Sequence, residues 1–342
     1  MVAPLNWGFG HATRCIPIIY AILAKGWEPI IASDGKPLSL LQQEFPQLKI
    51  LVLPSYQIQY PTHGNLQWHL LKKLPKMIKT MLAEHRLVQE IIQRELIDGI
   101  ISDNRLGVWS KKIPSVYITH QLTVLSGITT FLTSFVHRKF IHHFDECWIP
   151  DTVSHSLAGT LATHHGFKIK TKYLGVISRL SQQQESKKYD LCVLLSGPEP
   201  QRTLLENILL KELKQFKGSI CFIRGVIDDA EDFKPVLPFT FYPYLTSAKL
   251  NKVLNQSDLI IARSGYSTIL DLATLGKKAF FIPTPGQTEQ VYLATYLHQQ
   301  KIAPFCDQAN FKLQKLDEMA HFTGFTVQEN RLNPTLWEVF GK

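Results

Sequence analysis

A buried strand, a polar turn, a helix and a second buried strand follow one another between residues 258 and 283. The apolar run Asp258–Ala262 is typical of a strand inside a parallel sheet. Apolar side chains then recur at helical spacing as far as Leu275, and Gly276 is placed to end that helix. Ala279–Pro283 is the next apolar run. This order predicts one β-α-β unit of a parallel sheet.

The turn between the first strand and the helix consists of small hydroxylated residues and a glycine. Such a turn leaves backbone N–H groups at the positive end of a helix dipole, where phosphate groups bind. Ser264 and Thr268 can equally act only as helix caps, and that alternative stays open. A second polar turn, residues 284–290, follows the next strand, and parallel strands bring both turns to one edge of the sheet. We therefore interpret the two turns as parts of one ligand site.

The same strand, glycine turn and helix begin at residue 1 and again at Leu191. A single core rarely exceeds roughly 250–300 residues, so a chain of 342 residues with two such starts indicates two doubly wound α/β domains facing a cleft. The polar segment 181–188, SQQQESKK, has no periodicity and marks the predicted connection. The predicted domains are therefore residues 1–180 and residues 189–325.

Charge is unevenly distributed between the two halves. Residues 1–180 contain 19 Lys and Arg against 11 Asp and Glu, whereas residues 181–342 contain 18 against 17. A basic half suits an anionic partner such as a membrane surface, a phosphorylated lipid or nucleic acid, and a plain solubilising surface is the alternative. The stretch Trp68–Lys79 mixes large apolar residues with four lysines, as in a helix lying on lipid or an ordinary amphipathic helix.

The five cysteines are scattered and lack a CxxC pair, which predicts reduced core thiols in a cytoplasmic protein. No apolar run approaches the ~20 residues of a membrane span. The sequence contains no D-x-D motif, and the doublets His142-His143 and His164-His165 have no partners at metal-ligand spacing. We therefore expect neither a metal nor a cofactor.

Polar residues follow three predicted strands of the first half. His11 follows the turn Gly8-Phe9-Gly10, Asp103 follows the apolar run Ile97–Ile101, and His120 follows the run 114–119. Strand ends of one parallel sheet share an edge, so these side chains are candidate neighbours around one cleft. The alternatives are a capping or packing role for His11 and a salt bridge from Arg105 to Asp103.

Three motifs together resemble the GT-B glycosyltransferases. They are W-G-F-G-H at residues 7–11 (W-G-F-G-H-A-T-R-C-I-P as far as residue 17), S-G-P-E-P-Q-R at residues 196–202, and R-S-G-x-x-T-x-x-D with P-x-P-G-Q-x-E-Q at residues 263–290. The similarity is greatest to the MurG-type group, the bacterial N-acetylglucosaminyltransferases that complete the lipid-linked peptidoglycan precursor. It implies an N-terminal acceptor-binding domain, a C-terminal donor-binding domain and a last helix, 326–342, that packs back on the first domain.

The resemblance also implies the donor contacts. A helix N-terminus holds the nucleotide diphosphate, Asp271 stands where the group usually has a glutamate for the ribose, and Gln287 and Gln290 represent the sugar-binding glutamines. Leu245 and the backbone amides beside it hold the base, while Phe239 and Phe241 are better explained as core. The predicted donor-binding residues are Ser196, Gly197, Arg202, Arg224, Leu245, Arg263, Ser264, Gly265, Tyr266, Ser267, Thr268, Asp271, Gln287, Glu289 and Gln290.

The implied reaction moves a sugar from a uridine diphosphate donor to an acceptor hydroxyl, by direct displacement with inversion. It needs a general base, for which His11 is the first candidate and Asp103 the second. Helix N-termini and Arg202 stabilise the leaving diphosphate without a metal. The predicted acceptor-side residues are Gly8, Gly10, His11, Asn104, Arg105 and His120. The acceptor is unknown, with a lipid-linked one as an option.

The scattered cysteines predict a cytoplasmic protein, and the charge asymmetry predicts optional peripheral contact with the inner face of an anionic membrane; we expect no nucleic-acid partner. Three rivals remain. A nucleotide-sugar 2-epimerase shares the two-domain plan and needs no acceptor. A nicotinamide dehydrogenase needs a third glycine, which is missing, and a ribose acid, for which Asp34 is the candidate. A non-catalytic module that binds anionic partners through its basic half is the third.

Overall fold

The computed structural model describes residues 1–56, 66–122, 137–154, 156–163, 169–226, 239–330 and 332–341. The predicted surface doublet at residues 164 and 165 lies outside this range, as do the side chains of residues 66–74. The chain divides into two compact units. The described residues up to Ile177 and from Asn330 onward form the first unit, and Ser178–Glu329 forms the second.

The first unit is built on a parallel sheet with the strand order β3-β2-β1-β4-β5-β6-β7. Its strands are β1 (Val2–Pro4), β2 (Ile31–Ser33), β3 (Ile50–Val52), β4 (Ile100–Asp103), β5 (Ser115–Ile118), β6 (Glu146–Ile149) and β7 (Lys170–Tyr173). Its helices include α1 (Gly10–Ala24), α2 (Gly35–Glu44) and α3 (Leu66–Glu95). The helix α3 contains Pro75 in its interior.

The second unit contains a parallel sheet with the strand order β10-β9-β8-β11-β12. Its strands are β8 (Tyr189–Leu194), β9 (Ile220–Ile223), β10 (Thr240–Tyr242), β11 (Ser257–Ala262) and β12 (Lys278–Phe281). Its helices include α4 (Gln201–Glu212), α5 (Ser247–Asn255), α6 (Tyr266–Leu275) and α7 (Thr288–Gln299). Leucine, isoleucine and phenylalanine side chains of β8, β9, α4 and β12 form one core, to which Phe239 and Phe241 add partly buried rings.

Two doubly wound units confirm the predicted fold class. In each sheet the direction of winding reverses beside the first strand, between β1 and β4 and between β8 and β11. Loops leaving the carboxyl ends of those strands diverge at this point, and ligands of open α/β sheets bind in the crevice between them. The loops after β1, β4, β8 and β11 therefore form the candidate sites.

Two segments outside the sheets have defined partners. Residues 181–188 are extended, and the backbone N–H groups of Ser181 and Gln183 donate to the amide oxygens of Asn251 and Asn255, each at 3.0 Å. Near the C-terminus only Pro334–Val339 is helical among the described residues after 325, so the predicted helix over 326–342 is reduced to one short 3-10 turn. Asn333 caps this turn, and proline at its first position starts it.

That turn packs within the first unit. The ring of Trp337 lies edge-on to Trp27 and Trp148, with centroids 5.9 and 5.8 Å apart, and Lys172 Nζ donates to the carbonyl oxygen of Thr335 at 2.8 Å. No helix in the described residues combines the length and the apolar character needed to cross a membrane.

Candidate functional site

A buried carboxylate lies at the switch point of the first sheet. Asp103 is the last residue of β4 and is fully buried, and its register partner on β1 is Pro4. The loop after β1 leads into α1, whose first turn carries His11. His11 Nδ1 lies 3.0 Å from Asp103 Oδ1. The structure thus brings together the two residues predicted as candidate bases.

Arg14 completes this cluster, and the sequence reasoning missed it. Its Nε donates to Asp103 Oδ2 at 2.9 Å, and its Nη2 forms a second bond with Oδ1. Its Nη1 lies 3.0 Å from His120 Nδ1, so the guanidinium joins the predicted acceptor-side residue His120 to the carboxylate. The available signal was the spacing of His11 and Arg14, because residues three apart share one face of a helix.

The ionisation of Asp103 follows from these neighbours. Burial acts to raise the pKa of Asp103, but the charge of Arg14, together with His11 and the hydrogen bonds from both, outweighs burial and lowers this pKa to about 2. A carboxylate only accepts hydrogen bonds. The contact of His11 with Asp103 is a hydrogen bond when Nδ1 carries the proton, and the lone pair of the imidazole is then on Nε2; Arg14 Nη2 lies 3.0 Å from the same nitrogen.

The loop after β4 places a further predicted residue beside His11. Asn104 has a left-handed backbone with φ 58°, and its Nδ2 lies 3.5 Å from His11 Nδ1. Tyr117 Oη donates to Asn104 Oδ1 at 3.0 Å and holds the amide in place. On the other side of His11, Gly8 has φ 82° and Gly10 starts α1, as the predicted glycine turn requires.

Arg105 lies in a separate buried network rather than beside Asp103. Its Nε donates to Glu84 Oε1 at 2.6 Å and its Nη2 to Asp34 Oδ1 at 2.9 Å. The side chain has no exposed surface. The alternative of a salt bridge from Arg105 to Asp103 is therefore wrong. The guanidinium is enclosed by oxygen atoms of the protein and does not face a substrate. Asp34, the ribose acid of the dehydrogenase alternative, is engaged by Arg105 and by Asn6.

In the second unit, polar turns meet at the carboxyl edge of the sheet. Gly197, after β8, has φ 104°, and a Cβ built on it would lie 3.8 Å from Thr284 Oγ1, after β12. A Cβ on Gly265 would lie 4.0 Å from both Gln290 Nε2 and Thr268 Oγ1. These distances are ordinary van der Waals contacts, so they show that the turns lie side by side, and the positive φ of Gly197 is what favours glycine at that position.

Gln290 fixes the turn before α7 against the start of α6. Its Oε1 accepts from the backbone N–H of Thr284 at 2.8 Å, and its carbonyl oxygen accepts from Ser264 Oγ at 2.8 Å. The helix α6 begins after Gly265 with no side-chain cap, and Tyr266 and Ser267 form its first turn. Glu289 lies in the first turn of α7. Ser264 is buried and braces the loops, which differs from a simple helix cap.

Two arginines of the predicted donor-binding set, Arg202 and Arg224, converge on a carboxylate outside that set. Arg202 Nη1 donates to Glu206 Oε2 at 2.6 Å, and Arg224 Nε donates to Glu206 Oε1 at 2.5 Å. Arg202 also pairs with Glu199, beside Ser196 and Gly197. Both charges are therefore already neutralised by carboxylates of α4 and its loop, which opposes the expectation that they face a ligand. The spacing of four between Arg202 and Glu206 was the missed signal.

Arg263 is buried at the centre of the edge. Its terminal nitrogens donate to the carbonyl oxygens of Ile282 and Pro283 at 3.0 Å each, to Gln201 O at 2.8 Å and to Gln308 Oε1 at 2.6 Å. Burial lowers the pKa of Arg263 to about 10, so the group remains a cation at neutral pH. It ties three loops together, and its charge has no carboxylate among these four partners.

Asp271 and Leu245 occupy the remaining predicted donor positions. Asp271 Oδ1 accepts from Ser178 Oγ at 2.5 Å. Burial raises the pKa of Asp271, and the nearby charge of Arg179 and the Ser178 bond reduce that rise. Leu245, just after β10, is buried. The bond from Ser178 comes from the segment that precedes β8, which sequence spacing alone does not connect to α6.

Three buried polar atoms along this edge have no hydrogen-bond partner among the described residues: Thr284 Oγ1, Gln287 Oε1 and Arg263 Nε. Buried polar atoms are nearly always paired in folded proteins, so these groups are candidates for hydrogen bonds to water or to a polar ligand. Gln287 is a predicted sugar-binding residue, whereas Thr284 begins the predicted polar turn but was given no donor contact. Within the described ranges, no group of three or more His, Cys, Asp or Glu is arranged to hold a metal ion.

We expect Asp103→Asn to destabilise the first unit by about 3–5 kcal/mol at neutral pH, because it leaves the buried Arg14 without its counter-ion. The lowered pKa of Asp103 means that this stabilisation is complete above the carboxyl's ordinary pKa of 3.8 and is lost as pH falls towards about 2. Urea unfolding at several pH values measures both effects. Glu95→Gln is the control, because its bond with Lys49 is exposed and should matter little. Equal effects of the two substitutions would contradict this assignment.

Residues 201–321 match the Glycosyltransferase family 28 C-terminal domain. This match covers the second unit from the start of α4, including the polar edge described above.

Similar proteins extend the match over most of the chain. The UDP-N-acetylglucosamine–N-acetylmuramyl-(pentapeptide) pyrophosphoryl-undecaprenol N-acetylglucosamine transferase of Buchnera aphidicola is 24% identical over 88% of this chain and 83% of its own length. The enzyme of the same name from Haemophilus ducreyi is 23% identical over 90% of this chain and 84% of its own length. The crystal structure of MurG from Acinetobacter baumannii superimposes with a TM-score of 0.57 at 15% identity, covering 94% of this chain and 91% of that one.

These matches agree with the resemblance inferred from the motifs, and they favour neither the epimerase, the dehydrogenase nor the non-catalytic alternative. The chain has the GT-B fold, is similar to the MurG enzymes, and is a glycosyltransferase that uses a nucleotide sugar.

Proposed function

We propose that this enzyme transfers a sugar, N-acetylglucosamine in the first instance, from a uridine diphosphate donor to an acceptor hydroxyl with inversion, and that His11 is the general base. The observation that carries this proposal is the contact of His11 Nδ1 with the buried Asp103 carboxylate at 3.0 Å. A base oriented by a carboxylate on its other ring nitrogen is the arrangement used to remove a hydroxyl proton in acyl-transfer enzymes.

In the proposed step, His11 Nε2 takes the proton of the acceptor hydroxyl as its oxygen attacks the anomeric carbon. The bond from that carbon to the diphosphate oxygen breaks on the opposite face, and the nucleoside diphosphate leaves with the bonding electrons. Asp103 stabilises the imidazolium that forms, because it accepts the hydrogen bond from Nδ1 throughout. No residue needs to form a covalent intermediate, and the anomeric centre is inverted.

The donor belongs on the carboxyl edge of the second sheet. The uncapped N-terminus of α6 offers backbone N–H groups to the diphosphate, and the charge of Arg263 lies beneath the same loops. Thr284 Oγ1 and Gln287 Oε1 supply hydrogen bonds to the donor that the protein itself does not use. Asp271, held by Ser178, takes the ribose hydroxyls. Because Arg202 and Arg224 are paired with Glu206, we assign them to shaping the loop rather than to neutralising the leaving group.

Uridine and N-acetylglucosamine are proposed because both similar enzymes carry them in their names. We expect calorimetric titration to show micromolar binding of uridine diphosphate and weaker binding of guanosine and thymidine diphosphates and of NAD. Thr284→Val should weaken uridine diphosphate binding by about tenfold, since one hydrogen bond to a charged ligand is worth about 1.5–3 kcal/mol. The same variant should unfold at slightly higher temperature, because it removes an unpaired buried hydroxyl.

Thr274→Val is the matched control for this titration. Its hydroxyl is also buried without a partner among the described residues, but it lies eight residues along α6 from Tyr266, about 12 Å from the N-terminus of the helix. The control should gain stability and keep the affinity for uridine diphosphate. If no nucleoside diphosphate binds, or if NAD binds more tightly, the donor assignment is wrong.

The role of His11 predicts a specific kinetic loss. We expect His11→Gln to lower kcat by about 10²–10⁴, the usual contribution of a positioned general base, while leaving the affinity for uridine diphosphate unchanged. Release of uridine diphosphate in the presence of an acceptor measures the first quantity, and calorimetry measures the second. If His11→Gln transfers the sugar at the wild-type rate, His11 is not the general base.

For the acceptor we propose a hydroxyl on a lipid-linked pyrophosphate glycan, reached by peripheral contact with an anionic membrane. The similar enzymes are named for a pyrophosphoryl-undecaprenol substrate. The first half of the chain carries the excess of positive charge. On α3, Ile78 and Leu82 are 43% and 52% exposed and lie one turn apart, next to Lys79. Exposed apolar and basic residues on one helix suit an anionic lipid surface.

Sedimentation with vesicles of phosphatidylglycerol and phosphatidylcholine tests this contact. We expect binding at low salt that is weakened by added salt, and at least about a tenfold loss for the double variant Ile78→Ser with Leu82→Ser. Leu204→Ser is the control, because Leu204 is a similarly exposed leucine on α4 of the second unit. Protein that stays in the supernatant with anionic vesicles at low salt would refute the membrane proposal and leave the transfer reaction untouched.

A further inference from the structure

Arg14 is almost fully enclosed, and its charge is directed at one carboxylate. The residue is 3% exposed. Nε and Nη2 meet the two oxygens of Asp103, and the side chain of His11 lies on the same side, with its Nδ1 3.0 Å from Nη2. The arrangement places a permanent cation, a carboxylate and an imidazole in mutual contact at the switch point of the first sheet.

A buried carboxylate and an imidazole in contact do not by themselves make a base. A buried carboxylate requires a counter-ion, and without Arg14 the nearest group able to supply one is His11, which would do so by taking a proton. An imidazolium has no lone pair and cannot accept the proton of a hydroxyl. Arg14 already neutralises Asp103. A proton added to His11 would place a second positive charge next to the guanidinium of Arg14.

We propose that Arg14 is a positioning residue whose fixed charge keeps His11 neutral with its proton on Nδ1, so that Nε2 remains able to act as a base. This inference rests on the proposed role of His11. It extends that role because neither the motifs nor the similar proteins assign a function to Arg14.

The same guanidinium also contacts the second histidine. Arg14 Nη1 lies 3.0 Å from His120 Nδ1, so one side chain meets Asp103, His11 and His120.

The other groups around the cluster do not replace this charge. Cys15 Sγ lies 3.7 Å from Asp103 Oδ2, and burial, with the charge of Asp103, raises the pKa of this thiol. Burial also raises the pKa of Tyr117 and lowers that of His137 to about 4, so both are neutral at neutral pH. Asn104 is an uncharged amide. Among the described groups facing His11, Asp103 and Arg14 are therefore the two that are charged at neutral pH.

The test is nitrogen-15 NMR of histidine-labelled full-length protein, with the His11 signals assigned by their loss in His11→Gln. In wild type at about pH 7 we expect a neutral His11 protonated on Nδ1. In Arg14→Gln we expect a doubly protonated His11 at the same pH, because the favoured counter-ion of Asp103 is then the imidazolium. Cys15→Ser, a neutral substitution at the same carboxylate, should give the wild-type His11 signals.

Kinetics supply the second readout. If the pH at which His11 takes up a proton rises by one unit, the fraction of neutral His11 below that pH falls about tenfold. We therefore expect kcat/KM of Arg14→Gln to fall at least about tenfold at neutral pH and to recover as the pH rises. A merely structural role would lower activity equally at every pH. Arg14→Lys, which keeps the charge but not the two-oxygen contact, should show a smaller shift in the same direction.

A folded Arg14→Gln with neutral, Nδ1-protonated His11 overturns the proposal. Should Arg14→Gln not fold, Arg14→Lys decides it, and His11 signals and a pH profile identical to wild type would be the overturning result. The NMR result does not depend on any substrate. Absence of transfer by the wild-type enzyme would therefore count against the proposed function alone, while the state of His11 still tests the role of Arg14.

Discussion

A carboxylate shielded from solvent remains ionised in the first unit because an arginine and a histidine meet its two oxygens. Asp103 can lie at this depth only with both neighbours in place, since an isolated buried carboxylate would take up a proton instead. The register of β1 against β4 sets Asp103 beside the loop that leads into α1, and the first two turns of α1 bring His11 and Arg14 to it. Local backbone geometry and the chemistry of the cluster are thus coupled.

The second unit shows the opposite arrangement of polar groups. Its two most obvious cations, Arg202 and Arg224, are paired with Glu206, while smaller polar atoms along the same edge lack partners. The proposed recognition of a diphosphate there therefore relies on helix N–H groups and neutral hydrogen-bonding side chains more than on arginine pairing. The pairing also explains why the loop after β8 is stable with a buried arginine at the start of α4.

The motifs predicted backbone structure well wherever it is set by consecutive residues. The glycine turn before His11, the start of α6 after Gly265 and the turn before Gln290 are each encoded by a few consecutive residues whose backbone preferences are strong. Predictions for long side chains were poorer. Arg105 and Arg202 follow strands of the two sheets, as expected, yet both turn inward to carboxylates on helices, Glu84 on α3 and Glu206 on α4. A flexible four-bond side chain reaches partners that strand position does not specify.

The sequence by itself determined the two doubly wound units, the ends of the strands at which polar residues gather, and the resemblance to nucleotide-sugar transferases, because apolar periodicity and glycine turns act over short distances along the chain. Only the tertiary structure decided which of those polar residues meet. Arg14 and Asp103 are 89 positions apart, and Ser178 and Asp271 are 93 apart. Their contacts depend on strand order and register. Both arise from packing of the whole sheet and cannot be predicted from the spacing of residues that are close in sequence.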